Sequence, residues 1–217
     1  MSNNIQIKAV ILDIDGTLTD EVSWLSFTKQ LGADPRVHTR IFDEYKTGNI
    51  TYPESRRQLI RLWNATGNAS KKNIINCFYK ISIRKPAISL VEYLRKSYKL
   101  CLISGSMDLY VKTVAKRLNI PNWYANTILK FDGNNNLYSY DYFDNQAKKK
   151  YEQFIEYTKR YAIKSEEVAV IGNSENDSII LEKSGLPILI ITSDTSTTPM
   201  NTVRIKIREL DEVKKYL

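Results

Sequence analysis

The sequence has little of the residues on which several common kinds of site depend. Its 217 residues include two cysteines, Cys77 and Cys101, and one histidine, His38. Both cysteines lie in apolar surroundings and far apart, so we expect reduced packing residues rather than a disulfide. We predict that His38, within a helical segment, is a surface or packing residue. Histidine chemistry is therefore not the expected basis of an activity.

Long apolar runs are also lacking. No run approaches the roughly 20 residues that a membrane-spanning helix needs. The N-terminal residues, MSNNIQIK, are polar and have no basic region followed by an apolar one, so we expect no signal peptide. There is no dense basic run interleaved with aromatic residues, so a nucleic-acid partner is not expected. Together these absences predict a cytoplasmic protein without membrane or nucleic-acid partners.

The formal net charge of +8 is concentrated in one part of the chain. Residues 21–87 contain 12 Lys or Arg against 5 Asp or Glu, whereas the rest is close to neutral. Such an excess attracts anionic ligands, but solvated helix faces have the same composition. The sequence leaves both interpretations open.

Two kinds of periodicity divide the chain. Residues 22–85 show helical spacing of apolar residues and no strong strand, with helix boundaries indicated by glycine, proline and serine. Before them, Ile7–Ile14 has the continuous apolar character of a buried strand, and from Pro86 onward strands alternate with helices. The predicted later strands are Lys99–Ile103, Ile128–Phe131, Leu137–Tyr142, Val168–Ile171, Ile188–Ile191 and Val203–Ile207, the second and third forming a hairpin.

This alternation predicts an α/β fold, a Rossmann-like parallel sheet with helices on both faces. The helical segment is then an inserted α-helical cap. We predict a core domain made of residues 1–20 and 86–217 and a cap domain made of residues 21–85.

Polar side chains follow three of the predicted strands. Asp13 and Asp15 end the first, Ser104 ends the second, and Asn173 and Asp177 follow a later one. In open parallel sheets ligands bind at the carboxyl ends of the strands, so these side chains should meet at one edge.

Two carboxylates so close together repel each other, and a divalent cation relieves that repulsion. Hard oxygen ligands favour Mg²⁺. The stretch DIDGTLTD also resembles a Ca²⁺ loop, but Trp24 stands where the twelfth position of an EF-hand loop carries a carboxylate.

Four motifs in order resemble those of the haloacid dehalogenase superfamily of phosphohydrolases. They are ILDIDGTLT (11–19), LISGS (102–106), KKK (148–150) and AVIGNSENDSIIL (169–181). The helical insertion resembles the first cap type of that superfamily, which places the chain nearest the phosphoserine phosphatase-like branch.

The resemblance implies a role for each motif residue. Asp13 would be the nucleophile that forms an aspartyl-phosphate, and Asp15 would protonate the leaving alkoxide and then activate water. Ser104 and the backbone N–H of Gly105 would hold a phosphoryl oxygen at the start of a helix. A lysine would neutralise the phosphoryl charge; the spacing favours Lys150, with Lys148 and Lys149 left open.

The resemblance also implies a Mg²⁺ site formed by Asp13, the backbone oxygen of Asp15 and residue 173, with Asp177 nearby. Residue 173 departs from the family pattern, because Asn173 replaces the usual aspartate. An amide oxygen brings no negative charge, so weaker metal binding is expected. We therefore predict a Mg²⁺-dependent phosphatase acting on a small phosphorylated metabolite. The alternatives are a phosphotransferase that uses the same intermediate and a non-catalytic phosphate-ligand binder.

A second departure concerns the substrate. In phosphoserine phosphatases a cap glutamate and a cap arginine recognise the amino acid, and here Val22 and Leu59 take their places. Glu21, Arg57 and Arg61 are one or two positions away, but one step along a helix turns a side chain by about 100°. We therefore expect that phosphoserine is not the main substrate. The sequence does not specify the actual substrate or the oligomeric state.

Overall fold

A computed structural model describes residues 6–192 and 203–217. Seven strands form one sheet in this described part of the chain: β1 (Ala9–Leu12), β2 (Lys99–Met107), β3 (Asn122–Phe131), β4 (Leu137–Tyr142), β5 (Val168–Gly172), β6 (Leu186–Ile190) and β7 (Ile205–Ile207). Their order across the sheet is β4-β3-β2-β1-β5-β6-β7. All neighbours are parallel except β3 and β4, which form the predicted antiparallel hairpin.

The described residues also form eight α-helices: α1 (Ser23–Leu31), α2 (Pro35–Lys46), α3 (Tyr52–Asn64), α4 (Lys71–Lys80), α5 (Lys85–Leu94), α6 (Asp108–Arg117), α7 (Gln146–Tyr161) and α8 (Ser178–Lys183). The first four make up the predicted helical insertion. The α/β fold class with an inserted helical cap is therefore confirmed.

Helices cover both faces of the sheet, as the side chains of β1 show. All four residues of this strand are buried. Val10 and Leu12 belong to an apolar cluster with residues of α5 and α6, whereas Ala9 and Ile11 pack with residues of α7 and α8. Successive side chains of a strand point to opposite faces, so a strand covered on both faces is apolar throughout.

The helices of the cap begin where the sequence provides capping side chains. Asp34, Thr51 and Ser70 each precede a helix and accept a hydrogen bond from a backbone N–H in its first turn. The apolar faces of these helices join the cluster that also covers one face of the sheet. The division into a core domain (1–20 and 86–217) and a cap domain (21–85) stays a prediction.

Hydrogen bonds join the cap to the β3–β4 hairpin. The Tyr52 hydroxyl donates to the Tyr140 carbonyl at 3.3 Å and accepts from the Tyr142 N–H at 3.0 Å. Asn64 donates to the Leu137 carbonyl at 3.0 Å. The hairpin therefore forms one side of the space between cap and sheet.

Strand pairing lengthens two elements beyond their predicted bounds. β2 continues past Ile103 to Met107, because its residues pair with β3 across an irregular register. β3 begins at Asn122, six residues before the predicted start, because its first half pairs with β2 and its second half with β4. The predicted final helix is a 3-10 helix, Leu210–Lys215.

The expectation for the two cysteines is met. Cys77 and Cys101 are both buried and free, as predicted. Across residues 6–192 and 203–217, no helix has the length and apolar character needed to cross a membrane.

Candidate active site

A buried ion cluster lies where β1 and β5 end. The Lys150 ammonium contacts Asp13 Oδ1 and Asp177 Oδ1, each at 2.6 Å. All three side chains are at least nine-tenths buried. Residues that lie more than a hundred positions apart in the sequence thus meet at one edge of the sheet, as the strand ends predict.

The geometry of α7 selects one lysine from the run of three. Lys150 shares the buried face of the helix with Gln146, Gln153 and Phe154, at helical spacing. Lys148 is exposed, and Lys149 pairs with Glu152 at 3.1 Å. Lys150 is therefore the lysine that reaches Asp13, as the motif spacing favoured.

Asp177 organises the loop that follows β5. Its Oδ2 atom accepts hydrogen bonds from the N–H groups of Asn173 and Ser174 and from the Ser174 hydroxyl, at 3.0–3.2 Å. Because a Cβ atom on Gly172 would overlap the Asp177 side chain, glycine is needed at that position. With Oδ1 bonded to Lys150, both oxygens of Asp177 are engaged, which suits support of the site rather than direct ligation of a metal.

Asp15 is held by the first turn of the cap. Its Oδ2 atom accepts hydrogen bonds from the backbone N–H and the hydroxyl of Ser23, at 3.1 and 2.6 Å. Its Oδ1 atom is buried and accepts no hydrogen bond from the described residues. The residue before α1 provides no capping side chain. Asp15 instead accepts a hydrogen bond from one of the N–H groups that are left free at the start of this helix. Sequence reasoning missed Ser23, whose only signal is its place at a predicted helix start.

Burial affects the pKa values of Asp13, Asp15 and Lys150. Burial raises the pKa of Asp13 to about 7; Lys150 opposes this rise and Asp177 adds to it. Burial raises the pKa of Asp15 to about 6, against the two hydrogen bonds from Ser23. Burial by itself lowers the pKa of Lys150, but the Asp13 and Asp177 carboxylates outweigh it and hold that pKa above its ordinary value. Carboxyl groups that titrate near neutral pH suit acid–base chemistry.

Ser104 and Gly105, near the end of β2, line the same cavity as Asp13 and Asp15. Ser104 is buried, and its hydroxyl accepts a hydrogen bond from the Ser106 N–H at 3.2 Å. The next helix begins at Asp108, so these residues lie in the strand and not at a helix start, which corrects the expectation. The correction follows from the continued pairing of β2 with β3.

The oxygen atoms at this edge fit Mg²⁺ in type and charge. Asp13 and Asp177 are buried carboxylates that share the Lys150 ammonium, and the half-buried Asp15 is the third carboxylate at this edge, so the acidic groups outnumber the cation. The Asn173 Oδ1 atom lies beside them and accepts a 3.3 Å hydrogen bond from Thr17. Gly16, at φ +75°, lets the loop pass close to the Asn173 side chain, where a Cβ atom would overlap it. Carboxylate, amide and backbone oxygens are the ligands that Mg²⁺ prefers.

The described residues contain no group of three or more His, Cys, Asp or Glu side chains arranged to hold a metal. The donor set that the resemblance implies contains one acidic side chain, that of Asp13, together with the Asp15 backbone oxygen and the Asn173 amide oxygen. We expect a weaker metal site than one with a further carboxylate, because each ligand charge adds attraction for the cation.

A cavity of about 1140 Å³ separates this edge from the cap. Asp13, Asp15, Lys150, Ser104 and Asn173 line one end, which we call the floor. Aromatic residues line the side formed by the cap and the hairpin, which we call the aromatic wall: Trp24, Phe42, Tyr45, Tyr52, Tyr140 and Tyr142.

The two residues that stand in place of the amino-acid-recognising glutamate and arginine of phosphoserine phosphatases also border the cavity. Val22 and Leu59 line it, whereas the neighbouring Glu21, Arg57 and Arg61 are not among the lining residues in the described part of the chain. The charged substitutes therefore do not face the space in which a substrate would lie. That phosphoserine is not the main substrate stays a prediction.

His38 is a buried packing residue that also borders the cavity. Its Nδ1 atom lies 2.6 Å from the Thr28 hydroxyl, which accepts a 2.9 Å hydrogen bond from the Trp63 indole. Burial lowers the pKa of His38 to about 4, so the ring is neutral near pH 7. The predicted packing role is therefore correct.

Comparison with known proteins gives a consistent result. The family model for haloacid dehalogenase-like hydrolases matches residues 7–185. A curated phosphoserine phosphatase from Methanocaldococcus jannaschii is 22% identical over 212 residues, which cover 97% of each chain.

Solved structures show the same fold. A phosphoserine phosphatase with a phospho-aspartyl intermediate analogue aligns with a TM-score of 0.74 at 19% identity, over 98% of this chain and 99% of that one. A substrate-bound phosphoserine phosphatase aligns with a TM-score of 0.75 at 20% identity, with the same coverage. A hydrolase from Salmonella enterica serovar Typhi aligns with a TM-score of 0.76 at 16% identity, over 94% of this chain and 68% of that one.

Proposed function

The chain belongs to the haloacid dehalogenase-like hydrolase family, on its phosphoserine phosphatase-like branch, and is an enzyme of the phosphoric monoester hydrolase class. From this premise we propose that it hydrolyses a small phosphorylated metabolite, in the presence of Mg²⁺, through a phosphoryl group carried by Asp13. One observation supports the proposal above the others. Asp13 and Asp15 leave the same strand end and border one cavity, and Lys150 is bonded to the first of them.

In the first step an Asp13 oxygen attacks phosphorus, and the bond between phosphorus and the substrate's ester oxygen breaks. Asp15 gives its proton to that oxygen, so the alcohol leaves neutral. The raised pKa of Asp15, about 6, keeps a protonated fraction available near neutral pH. Lys150 stays charged beside Asp13 and stabilises the negative charge of the phosphoryl oxygens, while Ser104 and the Gly105 N–H hold one of them.

In the second step the now ionised Asp15 takes a proton from a water molecule, whose oxygen attacks phosphorus. The bond between phosphorus and Asp13 breaks, and inorganic phosphate leaves with the carboxylate restored. With a substrate in the cavity, the aromatic wall and the cap helices would restrict the access of other water molecules to the floor.

Asp13, the Asp15 backbone oxygen and the Asn173 amide oxygen would hold Mg²⁺, with Asp177 supporting the loop that carries Asn173. When bound, Mg²⁺ supplies positive charge against the phosphoryl oxygens and balances the excess of carboxylates. We also propose that the protein is cytoplasmic.

The size of the cavity favours one alternative. A volume of about 1140 Å³ leaves room for an acceptor alcohol beside a small ester, so the same Asp13 intermediate can pass its phosphoryl group to that alcohol instead of water. A phosphate ester of the added alcohol would appear in that case. A non-catalytic binder would instead hold phosphate ligands without turnover.

The test is phosphate release from a panel of phosphorylated metabolites at rising Mg²⁺ concentrations. We expect wild type and Asp211→Asn, an exposed control, to turn over at least one ester. Asp13→Asn should lose on the order of a thousandfold or more, because the nucleophile is gone. Acid quenching should trap phosphate on the wild-type and Asp211→Asn chains but not on Asp13→Asn. No turnover at any Mg²⁺ concentration, or full activity of Asp13→Asn, would reject the proposal.

A further inference from the structure

Five of the six rings of the aromatic wall, all except Phe42, form a continuous set of contacts. Trp24 lies 5.6 Å from Tyr140 and 6.3 Å from Tyr142, measured between ring centroids, and both pairs meet edge to face. Tyr52 lies 6.1 Å from Tyr142 and 6.2 Å from Tyr45. Rings at these distances fix one another's positions. The wall is therefore largely formed before any ligand arrives.

Hydrogen bonds and cations hold the wall from outside the cavity. The Tyr45 hydroxyl donates to Asp144 at 2.5 Å, and the Tyr52 hydroxyl bonds the hairpin backbone as described. The Arg56 guanidinium lies 5.4 Å from the centre of the Tyr52 ring, and the Lys46 ammonium lies 5.5 Å from that of Phe42. Neither cation lines the cavity; each instead helps to hold its ring in place.

The cap helices present no charge to the cavity. Their lining residues are apolar, aromatic or hydroxyl-bearing, and the one imidazole among them, His38, is neutral near pH 7. The charged lining residues outside the floor lie beside the cap helices or on the core: Asp20, Arg84, Lys85, Arg208 and Glu209. Arg84 and Asp20 pair with each other at 2.7 Å. An ammonium or carboxylate group placed against the wall would lose its hydration without gaining a partner there.

Apolar surface is left uncovered on the cavity side. Phe42 is 40% exposed and Val22 is 47% exposed, although both line the cavity. The volume of about 1140 Å³ is somewhat larger than that of pockets that enclose ligands of drug size, which are roughly 300–1,000 Å³. A ligand that reaches from the floor to Phe42 would cover this surface.

We propose that the alcohol part of the substrate is an uncharged aromatic group that packs against the aromatic wall while its phosphoryl group lies at Asp13. This inference rests on the proposed function, since it names the substrate class of the same site. The wall selects planar rings by edge and face contacts, and its lack of charge discriminates against amino-acid esters.

The test measures binding with phosphonates, which have no ester bond to break. Calorimetry compares benzylphosphonate, cyclohexylmethylphosphonate and the phosphonate analogue of phosphoserine, all with Mg²⁺. The first two have the same carbon skeleton and differ in aromaticity. We expect benzylphosphonate to bind about three- to tenfold more tightly than the cyclohexyl compound. The phosphoserine analogue, which carries charges besides its phosphonate, should bind most weakly.

A double variant tests whether the wall is responsible. Phe42→Leu with Tyr45→Leu removes two rings of α2 and should reduce the benzyl preference at least by half. Tyr79→Leu with Tyr93→Leu is the matched control, because these exposed rings do not line the cavity. The control should keep the preference, and circular dichroism should show both variants folded.

Three results would overturn the inference: equal affinity for the two ring compounds, tightest binding of the phosphoserine analogue, or no binding of any phosphonate. A preference that both double variants keep would also overturn it. None of these readouts depends on turnover. If phosphate release fails while the benzyl preference holds, only the proposed hydrolysis is rejected; if esters are hydrolysed without the preference, only the substrate class is rejected.

Discussion

The floor and the aromatic wall enclose the same cavity but are built in opposite ways. The floor consists of buried charged side chains with short contacts, such as the two 2.6 Å contacts of Lys150. The wall consists of uncharged rings, several of them partly exposed. Strand ends and α7 carry the floor, and helices and a hairpin carry the wall. The comparison teaches that the sheet fixes the carboxylates of the floor, whereas the proposed choice of substrate lies on cap helices and a hairpin.

The energetics of the two regions differ accordingly. Removing one partner from a buried ion cluster leaves uncompensated charge and costs several kcal/mol. Changing a half-exposed ring alters buried apolar area, at about 25 cal/mol per Å². Substitutions on the floor should therefore affect stability and activity together, whereas substitutions on the wall should mainly affect which ligand binds.

The largest expected effect is that of Lys150→Met. Two buried carboxylates lose their shared cation, so the free energy of unfolding should fall by about 3–5 kcal/mol. Phosphate release should fall on the order of a thousandfold. Urea unfolding and a phosphate assay measure the two effects. Lys149→Met, one position away, is the control, because Lys149 contacts Glu152 and the Phe143 ring rather than Asp13 or Asp177; equal behaviour of the two variants would contradict the floor described here.

The next largest effect tests whether His38, on the cap side of the cavity, is uncharged. The pKa of His38 is lowered from 6.5 to about 4, so between these values the unfolded chain binds a proton that the folded chain does not. Stability should therefore fall as the pH decreases through this range, by about 3 kcal/mol at its lower end.

His38→Gln should remove this contribution, leaving a flatter dependence of unfolding free energy on pH between 6.5 and 4. Urea titrations at several pH values measure it, with wild type as the reference. Because His38 is the only histidine, no other imidazole contributes to the difference. Parallel curves for the two proteins would show that His38 is protonated in the folded state.

A smaller effect is expected from Asn173→Asp, which adds a charge at the floor. The carboxylate keeps the oxygen that accepts from Thr17 and increases the attraction for Mg²⁺. The Mg²⁺ concentration for half-maximal activity should fall about tenfold, a difference of about 1.4 kcal/mol. Asn176→Asp adds the same charge in the same loop. A shift as large in that control would mean that general charge, and not ligation, is responsible.

The smallest expected effect is that of Ser23→Ala, at the border between floor and cap. The variant loses the 2.6 Å hydrogen bond that opposes the rise in the pKa of Asp15. That pKa should rise further, so the pH profile of phosphate release should shift upward, by less than about one pH unit. Ser89→Ala, on α5 and away from the cavity, should leave the profile unchanged. A downward shift in Ser23→Ala would disprove the assigned hydrogen bond.

The sequence allowed the floor to be predicted better than the wall. Asp13, Asp15, Asn173 and Asp177 follow buried strands, and parallel strand ends must meet at one edge. Lys150 remained ambiguous among three lysines because the rotation of a helix about its axis relative to the sheet depends on tertiary packing. The length of β2 was missed for a similar reason, since its pairing with β3 is not visible in local sequence.

The wall was largely missed because helical spacing identifies one side of a helix without showing what lies against it. Trp63 and Tyr45 have the same kind of spacing, yet Trp63 packs in the cap core and Tyr45 borders the cavity. Tyr140 and Tyr142 lie in a hairpin whose position over the cavity depends on hydrogen bonds to α3. Ser23 was missed because its bond to Asp15 requires the cap to be in place.

The bond between Asp15 and the first turn of α1 links the position of a helix to the affinity of a carboxyl group for a proton. When α1 moves away, both donors of Ser23 leave together, and Asp15 then holds its proton more tightly. When α1 returns, the proton is released more readily. A movement of α1 would therefore change the proton affinity of Asp15 through the two Ser23 donors, with no additional residue required.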